Sequence, residues 1–137
     1  MPRRGTYQGL FLGALLAVVS FAPAAPEKAP VKSPLAEARY KAALKQFDEI
    51  WTYYRQSRTD SFPVYLWSRL LLDAQRDLSD LPVERISALR QHLDRMRRLE
   101  TLVKKVRRIG FGFSIDVGAT EYYRLEAEHW LERAGPP

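Results

Sequence analysis

Residues 99–130 read LETLVKKVRRIGFGFSIDVGATEYYRLEAEHW, two apolar-periodic segments separated by a glycine-rich turn. On both sides of the turn, apolar residues recur at three- and four-residue steps, as they do along one face of an α-helix. Gly110 stands where a helix commonly ends on a left-handed residue. Because a short connection makes neighbouring helices antiparallel, this stretch predicts a helical hairpin that turns at 110–113.

The rest of the chain carries the same helical pattern, interrupted at a few sharp joints. Glycine is absent from residues 25–109, and prolines and short polar clusters mark the joints. We expect helices over 34–57 and 82–109, one beginning near Phe62 with Ser61 as its cap, and a last one capped by Ser114. No segment alternates with period two for long enough to predict a strand. The predicted fold class is all-α, either an antiparallel bundle of about four helices or two stacked helical hairpins.

Apolar stripes predict which helix faces are buried. The second helix has a heptad rhythm typical of coiled-coil packing, and the third carries a stripe that runs on to Ile109. In the fourth helix the expected buried stripe is Ile115, Ala119, Tyr123, Ala127, Trp130 and Ala134.

The N-terminus has the layout of a secretory signal peptide. Arg3 and Arg4 precede an apolar run over 10–21, and small residues then lead to a cut site after Ala24. We therefore expect a signal peptide over 1–24, a flexible linker over 25–33 and a single helical domain over 34–134. The expected location is exported, periplasmic or secreted, with no membrane span after cleavage. Retention of the segment as an anchor, or its burial as a helix, remains the alternative.

Composition excludes several functional classes. The chain has no cysteine, which rules out a disulfide framework, a thiolate metal site, a cysteine nucleophile and a lipoprotein anchor. Its formal charge is +6, and removal of Arg3 and Arg4 with the signal peptide would leave about +4, which is a modest basic bias. Such a bias suits the anionic surfaces of a cell envelope better than nucleic acid, which we do not expect as a partner.

The hairpin resembles the periplasmic hairpin of the outer-membrane efflux factors, the TolC-like family. In that family a helix ends in glycine and a short turn leads to Asp-Val at the start of a returning helix. The matching positions here are Gly110, Asp116 and Val117, and the resemblance covers about a quarter of the chain. It implies an envelope protein that makes contacts through its hairpin. Gly118 departs from the bulky apolar residue usual there, and members are several times longer, so kinship would retain the hairpin without the pore. A generic helical hairpin is the alternative.

No residue pattern predicts catalysis, a cofactor or a metal site. Glu126 and His129 have the E-x-x-H spacing of di-metal bundles, but such a site needs a second E-x-x-H pair on another helix. The other histidine, His92, is preceded three residues earlier by Leu89, so the second pair is missing. We therefore interpret the pair as a surface contact and expect a protein that is not an enzyme.

The stretch from Arg95 to Arg108 contains seven cations and a single acid, Glu100. Most of them lie opposite the apolar stripe of the same helix and predict an exposed face. We call this face the basic ridge: Arg97, Arg98, Lys104, Lys105, Arg107 and Arg108. It either contacts an anionic partner, such as phospholipid headgroups, acidic polysaccharide or an acidic protein, or is neutralised within the fold by Glu121, Glu128 and Glu132.

The hairpin turn is the other candidate contact, formed by Gly110, Phe111, Gly112, Phe113 and, in the next helix, Asp116. The two phenylalanines either dock a partner or fold back onto the helix ends, with Phe113 preceding the cap residue. Two functions remain open. The first is a protein–protein interaction module, with an envelope protein or a second copy as partner. The second is a peripheral binder of anionic lipid or polysaccharide.

Overall fold

Four helices account for most of the chain in the computed structural model, which describes residues 33–135. They are α1 (Pro34–Arg55), α2 (Ser61–Asp77), α3 (Pro82–Arg108) and α4 (Ser114–Arg133), with no strand in the described range. The predicted all-α fold class is confirmed. The predicted signal peptide and all of the linker except Ser33 lie outside the described residues. Over 33–135, none of the helices combines the length and the hydropathy that a bilayer span requires.

The first two helices begin on side-chain caps. Ser33 accepts a hydrogen bond from the Ala36 amide at 3.0 Å, which satisfies one of the free N–H groups of the α1 N-terminus. Asp60 caps α2 by accepting from the Phe62 amide at 3.0 Å. The prediction that Ser61 is this cap is therefore wrong, because Ser61 is the first helical residue. Its hydroxyl instead donates to Asp116 Oδ1 at 2.7 Å.

The α3–α4 turn confirms the role predicted for Gly110. This glycine has φ +89°, and its amide donates to the Arg107 carbonyl at 3.1 Å. The Phe111 amide donates to the Val106 carbonyl at 3.2 Å. These two bonds form a Schellman motif, which supplies hydrogen-bond donors to two carbonyl groups at the α3 C-terminus. Ser114, predicted as a cap, makes no capping bond, and Phe113 occupies the cap position instead.

Successive helices pack against each other, and α2 also contacts α4. Within the described residues the α1 backbone approaches only α2, while aromatic side chains of α1 reach α3. Short joints make the helices antiparallel, so the ends of α1 and α3 share one end of the bundle with the starts of α2 and α4. We call this the tip end. The principal core is built from residues of all four helices: Ala43, Phe47, Val64, Tyr65, Leu71, Ala74, Leu93, Met96, Leu99, Val103 and Ala127.

The buried face of α4 differs from the predicted stripe at both ends. Ile115 is 79% exposed and Ala134 is exposed, whereas Asp116 and Thr120 are buried. Burial of these polar residues is tolerated because each has a hydrogen-bond partner. Asp116 accepts from Ser61, and the Thr120 hydroxyl donates to the Asp116 carbonyl at 2.8 Å.

Candidate functional site

Four large apolar side chains project into solvent around the α3–α4 turn. Ile109 is 66% exposed, Phe111 68%, Phe113 65% and Ile115 79%. We call these four residues the apolar tip. Phe62 of α2 lies at the same end of the bundle and lines a shallow cleft together with Phe113 and Ile115. The two phenylalanines of the turn are predicted contact residues, whereas the prediction that Ile109 and Ile115 continue buried stripes is wrong. Periodicity along a helix does not show where burial stops.

The turn has a defined backbone conformation. Gly112 has φ +75°, and a Cβ at this position would lie 3.3 Å from Val106 Cγ1. The Asp116 amide donates to the Phe113 carbonyl at 3.2 Å. Phe111 and Phe113 are 68% and 65% exposed, so the alternative in which they fold back to cap the helix ends is wrong.

Asp116 anchors the turn to the rest of the bundle. Its buried carboxylate accepts from the Ser61 hydroxyl and joins the starts of α4 and α2. Burial, with a further contribution from the charges of Asp116 and Asp60, raises the pKa of Tyr54 to about 12. The same causes raise the pKa of Tyr123, whose ring stacks on Tyr65 with centroids 4.0 Å apart. Asp116 therefore has a structural role beneath the apolar tip.

Part of the basic ridge is neutralised by a chain of ion pairs. Arg97 contacts Glu128 at 3.1 Å and Lys104 contacts Glu100 at 2.8 Å. Arg124 of α4 connects the two carboxylates, at 2.7 Å from Glu100 and 2.6 Å from Glu128. Burial disfavours the charged form of Glu100, but hydrogen bonds from Lys104 and Arg124 prevail and lower its pKa. Of the three α4 acids expected to neutralise the ridge, only Glu128 pairs with it in the described chain.

Three of the four remaining cations of the ridge lie near the tip end, in the last turn of α3. Arg98 lies over the Trp51 ring, 6.0 Å from its centroid. Lys105, Arg107 and Arg108 are exposed, and over residues 33–135 no carboxylate lies within ion-pair distance of them. We call these last three residues the tip cations. They occupy the final turn of α3, directly before the apolar tip.

Arg95 belongs to the same cationic stretch but points into the bundle. Its Nε donates to Ser68 Oγ at 2.7 Å, and its guanidinium lies 5.5 Å from the Phe47 ring centroid. Burial lowers the pKa of Arg95 to about 10. It is therefore not available to a partner at the surface.

The histidines do not form a reactive centre. His92 is fully buried, its Nδ1 lies 2.9 Å from Ser68 Oγ, and its Nε2 has no partner. Burial, and then the nearby charge of Arg95, lowers the pKa of His92 to about 3. Because Ser68 is also fully buried, a substrate cannot reach this serine–histidine pair.

Glu126 and His129 lie three residues apart on α4 but have different surroundings. Glu126 accepts a hydrogen bond from the Tyr65 hydroxyl at 2.6 Å, while His129 is exposed. Burial and this hydrogen bond raise the pKa of Tyr65 to about 12. Among the described residues, no three side chains of the metal-binding types come together.

Comparison of the chain with protein-family models, curated proteins and solved structures gives no match. The resemblance of residues 99–130 to an efflux-factor hairpin therefore depends on the sequence alone.

Proposed function

We propose that this protein is a non-enzymatic binding module of the cell envelope and that the tip end is its contact surface. The observation that carries this proposal is the apolar tip, in which four large apolar side chains at and beside the α3–α4 turn are 65–79% exposed. Large exposed apolar side chains that lie close together commonly mark an interaction site. Export to the periplasm or beyond belongs to the proposal and is supported by residues 1–24.

A protein is the first candidate partner, either another envelope protein or a second copy of this chain. The support is the cleft between Phe62 and Phe113, whose apolar walls could receive a side chain from a partner. Aromatic side chains that close around such an anchor often dominate a protein interface. The resemblance to efflux-factor hairpins favours the same candidate.

An anionic lipid or polysaccharide is the second candidate partner. The support is the position of the tip cations, which have no acidic partner in the described chain and adjoin the apolar tip. Contact through exposed cations weakens steeply as ionic strength rises from low to physiological, whereas an apolar contact does not. Salt dependence therefore separates the two candidates.

Crosslinking in the native envelope tests the proposal. We expect Phe111→Ala/Phe113→Ala to abolish the crosslinks formed by the parent protein. The matched control is Leu35→Ala/Val83→Ala, which removes two exposed apolar side chains at the opposite end of the bundle. Far-UV circular dichroism verifies that both variants fold. Crosslinking by the tip variant at the parent level would exclude the tip end as the contact surface.

A further inference from the structure

The tip end combines exposed apolar side chains with a cluster of cations. The apolar tip begins at Ile109, and the tip cations precede it within one turn of α3. At about 1.5 Å of rise per residue, Lys105 lies roughly 6 Å behind Ile109 along the helix axis. The order along this axis is therefore apolar at the extremity and cationic immediately behind it.

The charges around the tip are predominantly positive. Arg107 and Arg108 line a shallow depression together with Lys104, beside Val117 of α4. Arg58 lies at the same end, where it covers the Tyr53 ring. Two carboxylates line the neighbouring cleft. Asp116 is buried against Ser61, and Asp60, which is exposed, accepts the capping bond of α2.

We infer that the tip end docks onto an anionic lipid bilayer. The apolar tip enters the boundary between headgroups and acyl chains, and the tip cations contact the lipid phosphates. Interfacial segments bury their apolar face about 5–10 Å below the headgroups, a depth comparable to the roughly 6 Å of axial rise between Lys105 and Ile109. Arg107 and Arg108 lie closer, roughly 3 Å and roughly 1.5 Å behind Ile109. This inference rests on the proposed function, because it requires the tip end to be the contact surface.

The charge beside the tip favours an anionic bilayer as the partner. Ile109, Phe111, Phe113 and Ile115 each have about two thirds or more of their surface exposed, and the tip cations adjoin them. A fluid medium can close around such side chains on every side, whereas a protein must supply a preformed pocket for each. The neighbouring cations complement anionic headgroups, which attract basic residues next to an apolar anchor.

Vesicle binding tests the inference with the exported protein purified from its envelope, after mass spectrometry has established its N-terminus. The probes are vesicles of mixed phosphatidylglycerol and phosphatidylcholine and vesicles of phosphatidylcholine alone. We expect sedimentation with the mixed vesicles, little with phosphatidylcholine alone, and a marked loss between low and physiological ionic strength. A Phe111→Trp variant should show a blue shift of the added indole emission on binding, read as the difference from the parent spectrum.

Two pairs of variants separate the apolar and cationic contributions. Arg107→Gln/Arg108→Gln should lower the partition coefficient roughly 25-fold, since each cation near an anionic membrane contributes about fivefold. Its charge-matched control on α3 is Arg85→Gln/Arg90→Gln, whose residues are exposed towards the other end. Phe111→Ala/Phe113→Ala should lower the coefficient at least about tenfold. The control for this variant is again Leu35→Ala/Val83→Ala.

The outcomes distinguish this inference from the proposed function. Absence of binding to the mixed vesicles overturns the inference, and so does undiminished binding of the phenylalanine variant. If the vesicles fail to bind but crosslinking in the envelope still requires both phenylalanines, the partner is a protein. In that case the proposed function stands and the inference falls. If neither vesicle binding nor crosslinking depends on the tip, both proposals fail.

Discussion

Acidification is expected to destabilise this protein through His92, well before most carboxylates are protonated. The imidazole is fully buried against Trp130, with ring centroids 5.6 Å apart. Its Nε2 has no partner, and the nearby guanidinium of Arg95 disfavours a second positive charge. The folded protein therefore keeps His92 neutral at a pH where an unfolded chain would protonate it.

The expected loss follows from the difference between the two pKa values. Burial lowers the pKa of His92 from 6.5 to about 3 in the folded protein. Between these values the unfolded chain binds one proton more than the folded chain, so the free energy of unfolding falls as the pH falls. The slope is about 1.4 kcal/mol per pH unit, which gives a loss of about 2–3 kcal/mol between about pH 6.5 and about pH 4.5.

Urea denaturation followed by far-UV circular dichroism over this pH range measures the effect. The informative variant is His92→Leu, which removes the ionisable group and its unpaired nitrogen. The Ser68 hydroxyl keeps its hydrogen bond from Arg95 Nε at 2.7 Å. At neutral pH this variant should match the parent stability within about 1 kcal/mol. Its stability should depend on pH much less steeply, and His129→Leu, at an exposed position, is the matched control.

Carboxylates contribute to the pH dependence of parent and variant alike, so the difference between the two curves isolates His92. Equal losses of stability by His92→Leu and the parent over this range would show that His92 does not cause the pH dependence. The same conclusion would follow if His129→Leu removed as much of the pH dependence as His92→Leu does.

Three further changes test the packing, the ion pairs and the turn. Leu99→Ala should lower the free energy of unfolding by about 3 kcal/mol because the side chain is fully buried; a similar loss for the exposed Leu125→Ala in urea denaturation would contradict this. Glu100→Gln should cost about 1–3 kcal/mol, with a loss that shrinks little in high salt, because this carboxylate is buried between two cations. Gly112→Ala should lower the melting temperature in calorimetry, because the backbone at Gly112 has φ +75°, whereas Gly118→Ala should raise it. Gly118 lies within α4 with open space around its Cα, so alanine there should stabilise the fold by about 0.5–1 kcal/mol. Shifts of the same sign and size for both variants would contradict these expectations.

Local signals predicted the helices and the main turn because each depends on residues close together in the chain. Proline at the first position of α1 and α3, the polar joints and the glycine turn all act within a few residues. Gly110 was predictable for the same reason, since a left-handed residue at the end of a helix favours glycine.

Features that depend on distant residues could not be predicted. Ser61 has the composition of a cap, but its partner Asp116 lies 55 residues away and Asp60 satisfies the helix end. Arg95 sits at the margin of the α3 apolar face, and only the neighbouring positions of Phe47 and Ser68 bring it inside. Pairing within the basic ridge likewise depends on how α4 is rotated about its axis, which periodicity does not specify.

Because the apolar tip is exposed, its side chains should contribute little to the stability of the fold. Side chains as exposed as Phe111 and Phe113 remove little apolar surface from water in the folded protein, so truncating them should cost little stability. Exposed apolar side chains that lie close together do, however, favour aggregation. Folding does not require them, because the Schellman motif satisfies the carbonyl groups at the end of α3 through backbone bonds alone. The proposed binding function would require them, and it predicts a variant that loses binding while retaining its stability.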